Sequence, residues 1–168
     1  MKSFLLVAFA CCATCLYSIS VRAGGLAFDA AGNLFLADSD KHSVFKYTPD
    51  GTKSTFAMGL YPLGLCFDRE GNLFVSDGAA TAAKSRRSIV KFTADGKRST
   101  FATGLEEPRD LTVDATGNVY VSSNYAILRF TPHGTKNTFS SAPGADEAWD
   151  LAVDRRPRRS VSMERRKN

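Results

Sequence analysis

The sequence is poor in the residues from which most catalytic and metal centres are built. Its 168 residues include two histidines, His42 and His133, and they lie far apart along the chain. It contains no Ser-His-Asp pattern, no zinc-ligand spacing and no phosphate-binding glycine loop. No catalytic residue and no resident cofactor are therefore predicted.

Cysteine is equally scarce beyond the N-terminal segment. Three of the four cysteines precede residue 24, which leaves Cys66 alone in the rest of the chain. A lone cysteine forms no intramolecular disulfide, so the stability of the fold must come from packing. Cys66 occupies the repeat position held elsewhere by Ala27, Thr112 and Ala152, and we interpret it as a small buried side chain rather than a nucleophile.

The central part of the chain lacks an excess of basic residues. The net charge is +5, yet residues 24–154 carry 13 basic and 16 acidic side chains. A nucleic-acid-binding surface on this part is not expected. The basic surplus lies mainly in residues 155–168, which are predicted to form a disordered tail, with a basic arm that contacts an anionic partner as the alternative.

Long apolar runs are confined to the N terminus. Lys2, the apolar run Phe4–Leu16 and the small residues up to Ala23 form the three regions of a signal peptide, predicted over residues 1–23 with cleavage after Ala23 or Ser20. This segment predicts a secreted or periplasmic protein with no membrane span after cleavage. An uncleaved anchor is the alternative, because the run up to residue 21 is close to the lower limit for a spanning helix.

The remaining sequence contains four copies of one motif. It reads GLAFD at 25–29, GLCFD at 64–68, DLTVD at 110–114 and DLAVD at 150–154, with spacings of 39, 46 and 40 residues. Repeats of this length are typical of propellers and solenoids. The first three copies continue with three further apolar segments in the same order, so each predicts four short strands, a to d, joined by glycine-containing turns.

Strands a and b are apolar at successive positions, as in LFLA at 34–37. A sheet with one face in water would alternate apolar and polar residues, so both faces are expected to be covered. The predicted fold class is all-β: an incomplete β-propeller of about three four-stranded antiparallel blades plus one extra strand.

In these motifs the sequence resembles the NHL-repeat family of β-propellers, whose repeat reads roughly Gly-apolar-Ala-apolar-Asp and then Gly-Asn-apolar-Tyr/Phe-Val-Ala/Ser-Asp. The matching repeats are 25–57, 64–102 and 110–139, with a partial copy at 150–154, within a propeller region of 24–154. We interpret the chain as a truncated copy, related to the gluconolactonase-like six-bladed propellers. The resemblance implies functions that range from protein or RNA binding to lactonase-like and lyase-like catalysis.

In such a blade the b–c loop and the link from strand d to the next strand a emerge on the same face. A residue that recurs in every repeat is expected to be structural, whereas a residue that occurs once is a candidate for function. Most residues of the second kind lie on this face. The arginines are expected to engage an acidic ligand and the aromatic residues a protein or carbohydrate partner. The predicted binding residues are Tyr61, Arg86, Arg87, Glu106, Glu107, Tyr125 and Trp149.

A calcium ion is the alternative interpretation of Asp38 and Asp77, which recur in two repeats, with help from Asn124. Neighbouring strands lie about 4.8 Å apart, whereas calcium requires oxygen ligands at about 2.3–2.6 Å, so these strand ends are not expected to converge on one ion. The favoured function is a secreted binding or interaction module without catalysis. The alternative is a reduced lactonase- or lyase-like enzyme with a bound divalent cation. Open blade faces are also expected to cause self-association.

Overall fold

The computed structural model describes residues 23–78, 87–124, 126–141, 150–153 and 161–164, and all regular structure in these ranges is β-strand. Blade 1 comprises β1 (Ala23–Phe28), β2 (Leu34–Asp38), β3 (Ser43–Tyr47) and β4 (Lys53–Met58). Blade 2 comprises β5 (Pro62–Phe67), β6 (Leu73–Asp77), β7 (Ser88–Phe92) and β8 (Arg98–Thr103). Blade 3 comprises β9 (Pro108–Val113), β10 (Val119–Ser123), β11 (Ala126–Phe130) and β12 (Lys136–Ser141). A two-stranded sheet follows, β13 (Asp150–Val153) and β14 (Val161–Glu164).

Each blade is an antiparallel sheet whose strand order follows the chain, which confirms the predicted fold class. Within the described ranges, no helix has the length and apolar character needed to cross a membrane. The predicted signal peptide lies outside these ranges except for its last residue, Ala23, which pairs with Asp38. Of the two predicted cleavage points, the one after Ser20 therefore leaves β1 whole.

The turn between strands a and b is held by a recurring aspartate. Asp29 Oδ1 accepts hydrogen bonds from the N–H groups of Ala31 and Asn33, both at 2.9 Å, and the Asn33 side chain donates to Asp29 Oδ2 at 2.7 Å. Burial alone would raise the pKa of Asp29, but these hydrogen bonds from Asn33 and Ala31 hold it below its ordinary value. Asp68 and Asp114 make the same contacts in the other blades, so these carboxylates are structural, as the repeat pattern predicts.

The hydrophobic core lies between the sheets. The Phe35 ring of blade 1 packs edge-on against Phe67 of blade 2, with ring centroids 5.0 Å apart, and Phe56 packs against Phe92 at 5.2 Å. An equivalent cluster fills the space between blades 2 and 3. Because the inner strands are covered on both sides, their continuous apolar sequence is explained by face-to-face stacking.

The inner strands of neighbouring blades approach too closely for a side chain at Gly25, where a Cβ atom would lie 2.5 Å from the Leu65 nitrogen, and at Gly64. A Cβ atom on Gly64 would lie 2.7 Å from the backbone oxygen of Arg109. Beside this contact, the Gly64 N–H donates to Ser76 Oγ at 2.7 Å, and the Ser76 hydroxyl donates to the Arg109 carbonyl. The fully buried Ser76 therefore joins blade 2 to blade 3.

Part of the segment 155–168, expected to be a disordered tail, forms a strand instead. β14 pairs antiparallel with β13, with Asp150 opposite Glu164 and Val153 opposite Val161. An unpaired β13 would present a row of backbone N–H and C=O groups, and β14 supplies their partners. The prediction of disorder rested on the arginines and Pro157, whereas β14 lies between the two groups of basic residues and contains none.

Candidate functional site

The b–c loops and the d–a links meet on one face of the stack, as predicted. Leu60 N–H donates to the His42 carbonyl at 3.2 Å, Gly78 N–H to the Tyr61 carbonyl at 2.9 Å, and Leu105 N–H to the Arg87 carbonyl at 3.3 Å. Each of these hydrogen bonds joins a b–c loop to a d–a link. We call this surface the loop face; its described residues are 39–42, 59–61, 78, 87, 104–107 and 124.

Left-handed backbone at residues other than glycine is concentrated on the loop face. His42, Glu107 and Asn124 have φ values of 53°, 48° and 52°, and they are the non-glycine residues with positive φ in the described part of the chain. This conformation is uncommon for L-amino acids and persists where the surroundings enforce it. The inter-loop hydrogen bonds supply that constraint, so the loop face presents side chains on a fixed backbone.

Tyr61 lies at the junction of blades 1 and 2. Its N–H donates to Asp77 Oδ1 at 2.8 Å, and its ring centroid lies 5.7 Å from that of His42. Tyr61 is half-buried, so it presents one aromatic edge beside the His42 imidazole. The pair forms an amphipathic patch on the loop face.

Asp38 and Asp77 hold separate loops. Asp38 accepts a hydrogen bond from Lys41 N–H at 2.9 Å and lies 3.2 Å from Lys41 Nζ, whereas Asp77 bonds to Tyr61 N–H. Burial alone would raise the pKa of Asp38, but the hydrogen bonds and charge of Lys41 hold it below its ordinary value. No group of three or more metal-ligating side chains occurs among the described residues.

Charged side chains gather at the junction of blades 2 and 3, in what we call the arginine cluster: Arg87, Glu107 and Arg109. Glu107 lies 3.9 Å from an Arg87 nitrogen and 3.6 Å from an Arg109 nitrogen. The arginine side chains are only 18% and 22% exposed, whereas that of Glu107 is 47% exposed. Both distances exceed a normal hydrogen bond, so one carboxylate is shared loosely between two guanidinium groups.

Arg87 makes the longer of the two contacts with Glu107, at 3.9 Å against 3.6 Å for Arg109. Its Nε atom is buried and has no hydrogen-bond partner within the described residues. Guanidinium groups bind carboxylates best through two parallel hydrogen bonds, a geometry that Glu107 does not provide here. Arg87 therefore suits an additional anionic group.

Four of the seven predicted binding residues lie in the part of the chain that the structure describes, and three lie outside it. Arg87 and Glu107 are in contact, Tyr61 lies on the same face nearer blade 1, and Glu106 is exposed on the link with its carbonyl bonded to the Ser123 hydroxyl. Arg86, Tyr125 and Trp149 lie outside the described residues.

Arg109 and His42 were not among the predicted binding residues. Arg109 was identifiable, because the equivalent position in blade 2 is Leu63, and a residue that occurs once is a functional candidate by the repeat criterion.

A partly buried carboxyl group lies on the inner strand of blade 3. Asp110 replaces the glycine of the first two repeats, and its Oδ2 accepts a hydrogen bond from Leu151 N–H at 2.7 Å. Burial raises the pKa of Asp110, and the nearby charge of Asp150 raises it further. This contact ties β9 to β13, so Asp110 has a structural role in holding the two-stranded sheet.

Comparison with known proteins identifies the fold. No protein-family model matches the sequence, and no curated protein sequence matches it. Among solved structures, virginiamycin B lyase from Staphylococcus aureus superposes with a TM-score of 0.65 and 17% identity over 81% of this chain and 47% of the lyase chain. A gluconolactonase from Xanthomonas campestris gives 0.66 and 20%, over 79% and 50%. A nidogen/laminin complex gives 0.68 and 22%, over 79% and 52%.

The protein is thus of the β-propeller class, with three four-stranded blades and the beginning of another. The chain spans about half the length of these structures. At this level of identity the likeness establishes the fold alone, because one fold supports many unrelated functions.

Proposed function

We propose that the chain is an exported, NHL-type propeller module that binds a protein partner through the loop face. The arginine cluster is its main contact, and Tyr61 with His42 forms a second contact nearer blade 1. Arg86, Tyr125 and Trp149 belong to the same surface in this proposal, because the repeat pattern assigns them to the same loops and links.

The observation that carries the proposal is the sharing of Glu107 between Arg87 and Arg109 at 3.9 and 3.6 Å. A partner carboxylate can pair with Arg87 in the two-bond geometry that the cluster lacks. Because both arginines are mostly buried, such a pair is shielded from water and contributes more than a surface ion pair. A partner rich in acidic residues fits this chemistry, and an aromatic residue beside the acidic group would meet Tyr61.

The catalytic alternative is a lactonase-like or lyase-like reaction with a divalent cation. Two of the similar folds are enzymes of these kinds by name, a lyase and a gluconolactonase. This alternative requires oxygen ligands from several blades around one cation, and the described residues present no such group. We favour binding on the contacts among Arg87, Glu107 and Arg109.

A peptide-binding experiment tests the proposal. The probe is a fluorescein-labelled peptide of alternating glutamate and tyrosine, and its binding is followed by fluorescence anisotropy at low and high salt. Arg87→Gln is expected to weaken binding roughly tenfold, since a hydrogen-bonded charged contact contributes about 1.5–3 kcal/mol. Glu107→Gln is expected to leave affinity unchanged or increase it, because it removes the competing carboxylate.

Arg69→Gln is the matched control. Arg69 is an exposed arginine in an a–b turn, on the opposite face of blade 2, and its loss should not alter binding. Equal effects of Arg69→Gln and Arg87→Gln would reduce the interaction to general charge attraction and refute the site. Absence of peptide binding, combined with chelator-sensitive hydrolysis of simple lactones, would favour the catalytic alternative.

A further inference from the structure

The outward face of blade 1 is apolar and exposed. Leu26 and Phe28 of β1 are 60% and 67% exposed. Their counterparts in blade 2, Leu65 and Phe67, belong to the core between blades 1 and 2. The outward face of blade 1 therefore carries the residue types with which a blade packs on its predecessor.

At the other end of the stack, blade 3 leaves part of an aromatic side chain exposed. Phe139 of β12 is 46% exposed, although its ring contacts Tyr120 of its own blade. Its counterpart in blade 1, Phe56, is covered by Phe92 of the next blade, with ring centroids 5.2 Å apart. Phe139 is therefore the position at which a following blade would place the aromatic residue that ends its third strand.

Blade 1 carries the residues that such a following blade requires. Tyr47 is the repeat equivalent of Phe92 and lies at the end of β3. Lys53 is the equivalent of Arg98, which reaches from blade 2 to the Met58 carbonyl of blade 1 at 3.5 Å. In blade 1 the Lys53 ammonium lies over the ring of Phe45, 3.7 Å from its centroid. The outward face of blade 1 thus matches the C-terminal end of the stack in both apolar and polar contacts.

We propose that two copies of this chain form a head-to-tail dimer, in which blade 1 of each copy packs on blade 3 of the other. Phe28 then contacts Tyr120, as Phe67 contacts Phe35, and Tyr47 covers Phe139. In a ring closed in this way, the two copies together contribute six four-stranded blades. A heterologous interface of this kind gives a dimer only if the ring closes.

The dimer requires that β13 leave its present position. β13 covers the Tyr120 surface through one buried leucine, Leu151. Docking of a second copy exposes that leucine and breaks the hydrogen bond from its N–H to Asp110, but it buries Leu26, Phe28 and Phe139. Three large apolar side chains outweigh one leucine and one hydrogen bond, so the exchange favours the dimer.

Sedimentation equilibrium of the chain purified after export tests the proposal. The wild-type protein is expected to sediment with twice the mass of the chain. Phe28→Asp and Phe139→Asp, each at an exposed position, should both raise the dissociation constant by at least about tenfold, because a carboxylate would be buried in an apolar interface. Ala94→Asp, in an exposed c–d turn of blade 2, is the control and should leave the dimer intact.

Mixing the two single variants identifies the geometry. A head-to-tail interface predicts that Phe28→Asp and Phe139→Asp together regain association, since the intact head of one variant meets the intact tail of the other. Leu151→Asp should strengthen the wild-type dimer, because it removes the competing contact of β13. A monomeric wild type, open-ended growth beyond the dimer, no recovery on mixing, or a weaker dimer in Leu151→Asp would each overturn the proposal.

Discussion

Replacement of Ser76 by alanine is expected to weaken the junction between blades 2 and 3. The Ser76 hydroxyl accepts the Gly64 N–H at 2.7 Å and donates to the Arg109 carbonyl. The residue is 0% exposed, so water cannot replace either bond without a change in packing. Ser76→Ala therefore leaves one buried donor and one buried acceptor without partners.

The magnitude follows from these two groups. An unsatisfied buried polar group costs about 1–3 kcal/mol, so the free energy of unfolding should fall by about 3 kcal/mol. This is a large part of the total stability of about 5–15 kcal/mol that is typical of natural domains. The methyl group itself should fit, because Ala37 occupies the equivalent position of blade 1.

Urea unfolding measures this effect directly. The free energy of unfolding of Ser76→Ala is compared with that of Ser99→Ala, in which an exposed hydroxyl lies 3.5 Å from the Lys91 carbonyl. The control should lose less than about 0.5 kcal/mol. If the two variants lose the same stability within that margin, the buried serine does not join the blades and the reasoning fails.

Three further predictions concern the inner strands. Because burial raises the pKa of Asp110, the folded state holds its proton more tightly than the unfolded chain, and the resulting stabilisation is lost as pH rises through the raised pKa. Asp110→Asn keeps an oxygen for Leu151 N–H, so urea unfolding should find it at least as stable as wild type at pH 7, with a smaller advantage at pH 4; a large loss at pH 7 would contradict this. Cys66 is partly rather than fully buried, and burial, reinforced by the charges of Asp110 and Asp68, raises the pKa of its thiol. In a chain whose other cysteines are serine, a thiol reagent should therefore modify it much more slowly in the folded than in the unfolded state; equal rates would refute the interpretation. Gly64→Ala should cost about 1–3 kcal/mol through overpacking against Arg109, and an unchanged unfolding midpoint would count against the close approach of the inner strands.

The repetition of the sequence made the fold predictable. The repeats share glycine turns, apolar b strands and the aspartates Asp29, Asp68 and Asp114. A segment whose structure is ambiguous in one repeat can therefore be assigned from the equivalent segments of the others. Strand β14 escaped prediction because it belongs to no repeat and depends on the free edge of β13. Local composition, dominated there by arginines, concealed a pairing that backbone hydrogen bonding favours.

The sequence predicts which face of the blades carries the candidate site, but not the contacts between its residues. Chain topology places the b–c loops beside the d–a links, and this part of the prediction is confirmed by the hydrogen bonds between them. The sharing of Glu107 by Arg87 and Arg109 was not predictable, because it depends on the left-handed backbone of Glu107 and on the distance between two blades. Residues that differ between repeats indicate where to look, but their mutual geometry is a property of the packed stack.

Nuclear Overhauser contacts between aromatic side chains test the stacking of repeats most directly. The account predicts strong contacts between the ring protons of Phe35 and Phe67, whose ring centroids lie 5.0 Å apart on different blades. It also predicts no cross-strand amide contacts between β4 and β5, because these strands belong to separate sheets. Cross-strand amide contacts between β4 and β5, without the contact between the two rings, would show one continuous sheet and contradict the account.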